Sequence, residues 1–183
     1  MVVLGVIIAI IVVVALWFMT MYNSFVKLNN KVEEAFATMD VYLKKRFDLI
    51  PNLVETVKGY AKHESETLEK VVAARTSVQS AGSPEEKFEA ENQLTGTLRT
   101  LFAVAESYPD LKANQNFINL QETLNSTEGE IAQSRKYYNA VVRDFNNKVQ
   151  MFPSSIVAGM FGYTKKAMFE IDEAQRENVQ VKF

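Results

Sequence analysis

The sequence predicts an all-α protein in which an N-terminal transmembrane helix continues into an up-down-up-down four-helix bundle with long, coiled-coil-like helices. Three observations predict it. Residues Val2 to Met19 run without a charged or strongly polar side chain. Beyond them, apolar residues recur at steps of three and four nearly everywhere. The 7 glycines and 4 prolines in 183 residues are few, and they mark boundaries rather than fill segments.

At about 1.5 Å per residue, the apolar run is about long enough to cross a hydrocarbon core of roughly 30 Å. A cleaved signal peptide would have a basic stretch before the run and small residues after it. Here no Lys or Arg precedes it, and it closes on Trp17-Phe18-Met19-Thr20-Met21-Tyr22, bulky where a peptidase needs small. With no cysteine, lipoprotein processing is excluded. A retained anchor is therefore expected over residues 1–24. Val2, Ile7, Ile11, Val14, Trp17 and Met19 would carry the membrane contact, with Trp17 and Tyr22 at the interface and Asn23 and Ser24 marking the exit. Lys27 and Lys31, with Lys44, Lys45 and Arg46 further along, place the bulk of the chain in the cytoplasm and the N-terminus outside. The expectation is a single-pass membrane protein. These cations alternate with Glu33, Glu34 and Asp40, the pattern of a solvated helix face.

The bundle is expected over residues 25–152, with helices near 25–48, 52–79, 84–107 and 114–151. In the first, Leu28, Val32, Phe36, Met39, Leu43 and Phe47 form one stripe, and no proline or glycine separates it from the anchor. Pro51 interrupts the next stretch. The stripe Leu43, Phe47, Ile50, Val54 and Val57 runs through the proline, which favours a kink, whereas matching helix lengths favours a turn. The four-helix count takes the turn. Ser80-Ala81-Gly82-Ser83-Pro84-Glu85-Glu86 reads as a glycine stop followed by N-cap Ser83, Pro84 at N1 and Glu86 at N3, a capping box. The third helix carries Phe88, Leu94, Leu98, Leu101, Ala105 and Tyr108, and Pro109-Asp110 ends it. In the fourth, Phe117, Leu120, Leu124, Thr127, Ile131, Ser134, Tyr138, Val141, Phe145, Lys148 and Phe152 alternate steps of three and four over about five heptads. Thr127, Ser134 and Lys148 are polar at seam positions; beside smaller neighbours or in reach of water they are tolerated, and a register-setting polar layer is the alternative. Pro153 then breaks the helix. Residues 153–183 hold an apolar segment, SSIVAGMFGY, too short and glycine-broken for a core helix, and a polar tail whose end either pairs as a short strand or stays loose.

Composition removes whole classes of function. A net charge of −2 argues against a nucleic-acid partner, which needs a basic face. A di-metal carboxylate site in a helical bundle needs Glu-x-x-His twice, yet the one histidine is His63 and Tyr60 stands three residues before it. Zinc-protease and cysteine-zinc ligand sets are likewise missing. Gly159 and Gly162 fit neither a P-loop nor a dinucleotide pattern. No catalytic, cofactor-binding or metal residue is assigned, no small-molecule substrate is evident, and an enzyme is not expected.

Five blocks, in this order, carry a family resemblance: DVYLKKRFDLIPNLVETVKGYAKHE (40–64), Ala74-Arg75, YPDLKANQNFINLQ (108–121), TEGEIAQSRKYYNAVVRDFN (127–146) and FPSSIVAGMFGY (152–163). Together they resemble the LemA family of bacterial single-pass membrane proteins across essentially the whole chain. The family often has Trp where Phe36 stands, a difference of packing. The resemblance implies an anchor with a short outside N-terminus and a cytoplasmic four-helix bundle. It implies no reaction.

Two function classes remain. The first is a membrane-anchored interaction or scaffold module that assembles with itself and recruits other membrane proteins. The alternative is a tethered carrier or sensor holding an apolar ligand in the bundle core, although Phe36, Phe47, Leu101 and Phe145 are large enough to fill that core. If four helices alternate direction from the bilayer, the last returns to it. It then delivers Phe152, Ile156, Met160 and Phe161, the candidate self-association residues, beside the lipid.

Overall fold

The computed structural model describes residues 1–61 and 63–170, so the end of the tail, expected as a strand or a loose segment, lies outside the described residues. Within them the chain is all-helical. The elements are α1 (Val2–Tyr60), α2 (Ser65–Ser80), α3 (Pro84–Ala105), α4 (Pro109–Lys112), α5 (Gln115–Gln150) and α6 (Ser154–Met160). Two compact units emerge: Met1–Thr38 with Lys136–Met168, and Met39–Arg135 with Phe169–Phe183, of whose last stretch Phe169 and Glu170 are described.

The turn at Pro51 is not there. Helix α1 runs from Val2 through Pro51 to Tyr60, so the helix expected over 52–79 is divided between the end of α1 and α2. The physical reason is local. A proline inside a helix lacks the N–H that would bond the carbonyl four residues back, here that of Phe47, and its ring crowds the same oxygen. Arg75 of α2 donates its Nε–H to the Phe47 carbonyl at 3.3 Å, and its guanidinium lies 3.9 Å from the centroid of the Phe47 ring. The stranded acceptor is thus satisfied from another helix, and the apolar stripe continues unbroken.

Other boundaries obey their expected chemistry. Ser83 Oγ accepts from the Glu86 amide at 3.1 Å, and the Glu86 carboxylate accepts from the Gly82 amide at 2.8 Å, one residue before the usual partner. Asn114 caps α5, its Oδ1 accepting from the Phe117 amide at 3.0 Å. In the second unit, Ile50, Leu53 and Val57 of α1 join Val71 of α2, Leu94 and Leu101 of α3 and Leu124 of α5 in one apolar core. In the first, Phe25 meets Phe145 edge-on at 6.3 Å between centroids, and Phe36 meets Tyr138 at 5.9 Å.

Along α5 the heptad positions Phe117, Leu124, Ile131, Tyr138, Val141 and Phe145 are all buried. Thr127 and Ser134 are buried as well, and neither reaches water nor forms a polar layer. Their hydroxyls return to the helix's own carbonyls, of Thr123 at 2.7 Å and of Ile131 at 3.0 Å. The seam ends before Phe152, which is 80% exposed.

Because Arg75 compensates for Pro51, the two residues should be coupled. Arg75→Met is expected to cost about 1–3 kcal/mol of unfolding free energy, the penalty for an unsatisfied buried acceptor. In the Pro51→Ala background, where an amide is restored, most of that cost should vanish. Denaturant melts of the four-member cycle measure the coupling, and additive effects would mean that Arg75 does not serve the Phe47 carbonyl.

Candidate functional site

The first candidate site is built where the apolar run of α1 ends. From Val2 to Trp17 the helix has no cover among the described residues: Ile7, Ile11 and Val14 are exposed, as is Trp17 at 36%, and Met19 is exposed as well. At Phe18 the first partners arrive from far along the sequence. The Phe161 ring lies 5.8 Å from that of Phe18 and 4.6 Å from that of Tyr22. Tyr163 stacks on Phe25 at 4.9 Å and 13°, with Phe145 edge-on to it.

The chain reaches this position through a tightly specified stop. Ser154 Oγ donates toward the last carbonyls of α5, of Lys148 at 2.7 Å and of Met151 at 2.8 Å. Helix α6 comes next and closes on Gly162, whose φ of 70° suits a residue without Cβ. The Tyr163 amide donates back to Ala158 at 2.9 Å and the Gly162 amide to Gly159 at 3.4 Å, a Schellman arrangement. Beyond it, Asn146 grips the chain, its Nδ2 donating to the Lys166 carbonyl and its Oδ1 accepting from the Lys166 amide. The segment expected to be too short for a core helix is therefore a short helix with a buried inner face, Val157 and Ala158. Its outer face holds Ile156 and Met160, four residues apart and 53% and 66% exposed, while Phe152, 80% exposed, precedes the helix and Phe161, 47% exposed, follows it and packs on α1. Ile156, Met160 and Phe161 thus form a short apolar ridge near the end of the apolar run.

Polar groups flank the ridge. Lys148 of α5 donates to Ser24 Oγ and sits 5.4 Å from the Phe25 ring centroid; Lys166 lies at the same distance from Phe145. Burial holds the Lys148 ammonium below the usual lysine range. Burial also pushes the Tyr163 phenol up, as does neighbouring Tyr22.

The second unit holds a buried charge cluster that the sequence reading missed. Arg46, grouped there with solvated cations, is fully buried. Its Nη2 donates to the Glu91 carboxylate and carbonyl, and its Nη1 to Thr95 Oγ1 at 2.6 Å and Glu128 at 2.5 Å. One guanidinium so ties α1, α3 and α5 together. Arg135, stacked 3.8 Å from the Phe169 ring centroid, completes a set of two cations and two anions. Burial pulls Arg135 down to about 10, helped by the charge of Arg46. Burial pushes the Glu91 carboxyl up, against the pull of Arg46. A signal for it is present in the sequence: Met39, Leu43, Arg46, Ile50, Leu53 and Val57 step by four and three, so Arg46 occupies an interior position. Glu91, three residues before Leu94, does the same on α3. Among the described residues no three of His, Asp and Glu converge, and His63 is exposed on the stretch after α1. An apolar groove of about 500 Å³ opens between the end of α1 and α2, lined by Val54, Ala61, Leu68 and Val72.

A buried pair of this kind is lost asymmetrically. Arg46→Met alone should cost about 3–5 kcal/mol, because the buried Glu91 carboxylate loses the guanidinium hydrogen-bonded to it. Arg46→Met with Glu91→Leu should recover most of the loss, since Glu128 is one-third exposed and can turn to water. Thermal melts read both, and a double variant no better than the single would mean that the cluster does more than neutralise itself.

Fold and site together define an all-helical protein whose first helix begins with an uncovered span long enough for a bilayer. The chain belongs to the LemA family, which it matches over residues 35–183. It is 26% identical over 161 residues to Protein LemA of Metamycoplasma hominis, a match covering 86% of this chain and 72% of that one. It is 22% identical over 175 residues to Magnetosome proteins MamQ 1 and MamQ 2 of Paramagnetospirillum magneticum, covering 81% of this chain and 64% of each relative. This chain therefore spans a little under two thirds of the length of the MamQ proteins.

Proposed function

We propose that this protein is a non-enzymatic, membrane-anchored helical interaction module that self-assembles at the cell membrane. Residues 1–24 act as a single-pass anchor, 25–152 as a bundle, and 153–183 as an apolar segment and tail. Lys27 and Lys31 favour the side after the span as the cytoplasmic one, which puts the N-terminus outside. Within Met39–Arg135, the segments of α1, α2, α3 and α5 act as an up-down-up-down, coiled-coil-like bundle, with the first connection after Tyr60. The family membership and the relatives' names carry no reaction, which agrees with this reading.

The ridge carries the argument for self-assembly. Ile156 and Met160 are exposed apolar side chains on one face of α6, held near the end of the span by Phe161, and Phe152, just before the helix, is exposed as well. Copies anchored in one plane already share an orientation, so a repeated ridge contact between them loses little rotational freedom on forming. A lone exposed apolar residue needs no partner; several together call for cover. The bilayer and neighbouring copies, with other membrane proteins, are the partners this reading requires. The alternative carrier role has less behind it: Leu94, Leu101, Leu124 and Phe145 are fully buried, and the apolar groove opens at the surface instead of the core.

Phe152→Ser/Ile156→Ser/Met160→Ser tests it, since these side chains face outward and Phe161 is left on Phe18 and Tyr22. In nanodiscs or native-membrane extracts, single-molecule photobleaching should count several copies of the wild-type chain and one of the variant, with helical circular dichroism unchanged. A monomeric wild type, or a variant that still assembles, would overturn the self-association role.

A further inference from the structure

Lys148 is, among the described residues, a cation without a counter-ion, in an unusual place. Among the described residues its hydrogen-bond partner is Ser24 Oγ, and it pairs with no carboxylate. By contrast Lys87, Lys112 and Lys70 each reach an acid. Lys148 is half-buried against the Phe25 ring, and burial alone depresses its ammonium. The height of this group is set by α1. If Met19 closes the hydrocarbon span, a rise of about 1.5 Å per residue puts Tyr22 about 4.5 Å and Ser24 about 7.5 Å beyond it. The headgroup layer on each side of a bilayer is roughly 5–7.5 Å thick. Tyr22 thus lies within that layer and Ser24, with the Lys148 ammonium bonded to it, at its outer edge, within reach of lipid phosphates.

We propose that Lys148, with the hydroxyl of Ser24, forms a seat for the phosphate of an anionic phospholipid. An ammonium has three donors, and Ser24 takes one, so two remain along with the serine O–H. The Phe25 ring gives the seat an apolar side, which strengthens the attraction between ammonium and phosphate by excluding water. The exposed Met160 and Ile156 of the ridge would lie beside the acyl chains of such a lipid. The seat differs from the snorkelling of a lone lysine, in which the ammonium reaches water by itself. It also supplies what a bare apolar anchor lacks, a contact that depends on the lipid headgroup. The proposal rests on the anchored reading above.

The full-length chain in detergent is titrated with dioleoylphosphatidylglycerol, dioleoylphosphatidylcholine and inorganic phosphate, with binding counted by native mass spectrometry. Phosphatidylglycerol should bind the wild type most tightly, and Lys148→Gln should weaken it about fivefold, the weight of one lysine at an anionic surface. Lys148→Arg should restore binding, and Lys136→Gln, on an exposed part of α5, should leave it unchanged. Equal phosphatidylglycerol binding by wild type and Lys148→Gln would overturn the seat and leave simple snorkelling. Inorganic phosphate binding as well as the lipid would reassign the site to a free ion and overturn the lipid source. Should Lys148→Gln fail to fold, Ser24→Ala removes the hydroxyl bonded to the ammonium; binding should fall at least about twofold, and no change would overturn the proposal. Insertion of every variant into phosphatidylcholine nanodiscs reads the anchor separately, so failure there would count against the anchored reading and not against the seat alone.

Discussion

Helix α1 can run through Pro51 only if the carbonyl that the proline strands finds another donor, and Arg75 is that donor. Much of the second unit depends on this one exchange. Had the helix stopped at Ile50, Leu53 and Val57 would have left the stripe that meets Val71, Leu94 and Leu101. Arg75 comes from α2, so the continuity of one helix is written into the position of the next. A proline in a helix interior costs about 3 kcal/mol in isolation. Here that cost is offset by a hydrogen bond and by the guanidinium lying on the Phe47 ring, a contact worth about 0.5–2 kcal/mol.

The interior charges obey the same logic over a longer reach. Arg46 sits on an apolar stripe, where a neutral side chain would have been simpler, and draws Glu91, Thr95 and Glu128 onto itself from two other helices. Such a cluster adds little net stability over well-packed apolar residues. What it adds is exclusion of alternatives: a slip of α3 by one residue would bury Arg46 without its carboxylate. Leu-rich seams tolerate sliding, because each layer resembles the next, whereas a single guanidinium with fixed donors does not.

These two features also show where sequence reasoning stops. The apolar span, the Ser83 capping box, the bounds of α3 and α5 and the buried heptad positions are all readable, because each is set by residues within one or two turns of one another. Pro51 misleads because its compensation stands 24 positions away at Arg75, and local rules weigh a proline by its neighbours alone. Arg46 misleads because its charge outweighs its periodicity, though its place in the stripe is visible. At the candidate site the four residues are named from topology; of them Phe161 packs on Phe18 and Tyr22, and Phe152, Ile156 and Met160 are exposed. The helical state of SSIVAGM is not legible when glycine is weighed as a breaker, whereas the Schellman stop at Gly162 uses glycine to end a helix instead. The unpaired state of Lys148 is invisible in sequence, where Asp144 and Glu170 look like available partners.

The end of the apolar run therefore gathers elements with different tolerances for water. Val157 and Ala158 are satisfied by the chain itself; Phe152, Ile156 and Met160 are not. Lys148 is partly withdrawn from solvent yet has no acid beside it among the described residues. In water such a combination of uncovered apolar side chains and an uncompensated half-buried cation would be poor on both counts. At a bilayer surface both defects have the same remedy, since that layer offers apolar chains and phosphate within a few ångströms of each other. The aromatic groups bridge the two: Phe161 faces Phe18 of the apolar run, while Tyr163 stacks on Phe25. A ridge made only for contact between copies would have no use for a desolvated lysine, and a lysine made only to snorkel would have no use for the ridge. Their juxtaposition is what a surface shaped to both the lipid and a neighbouring chain would require.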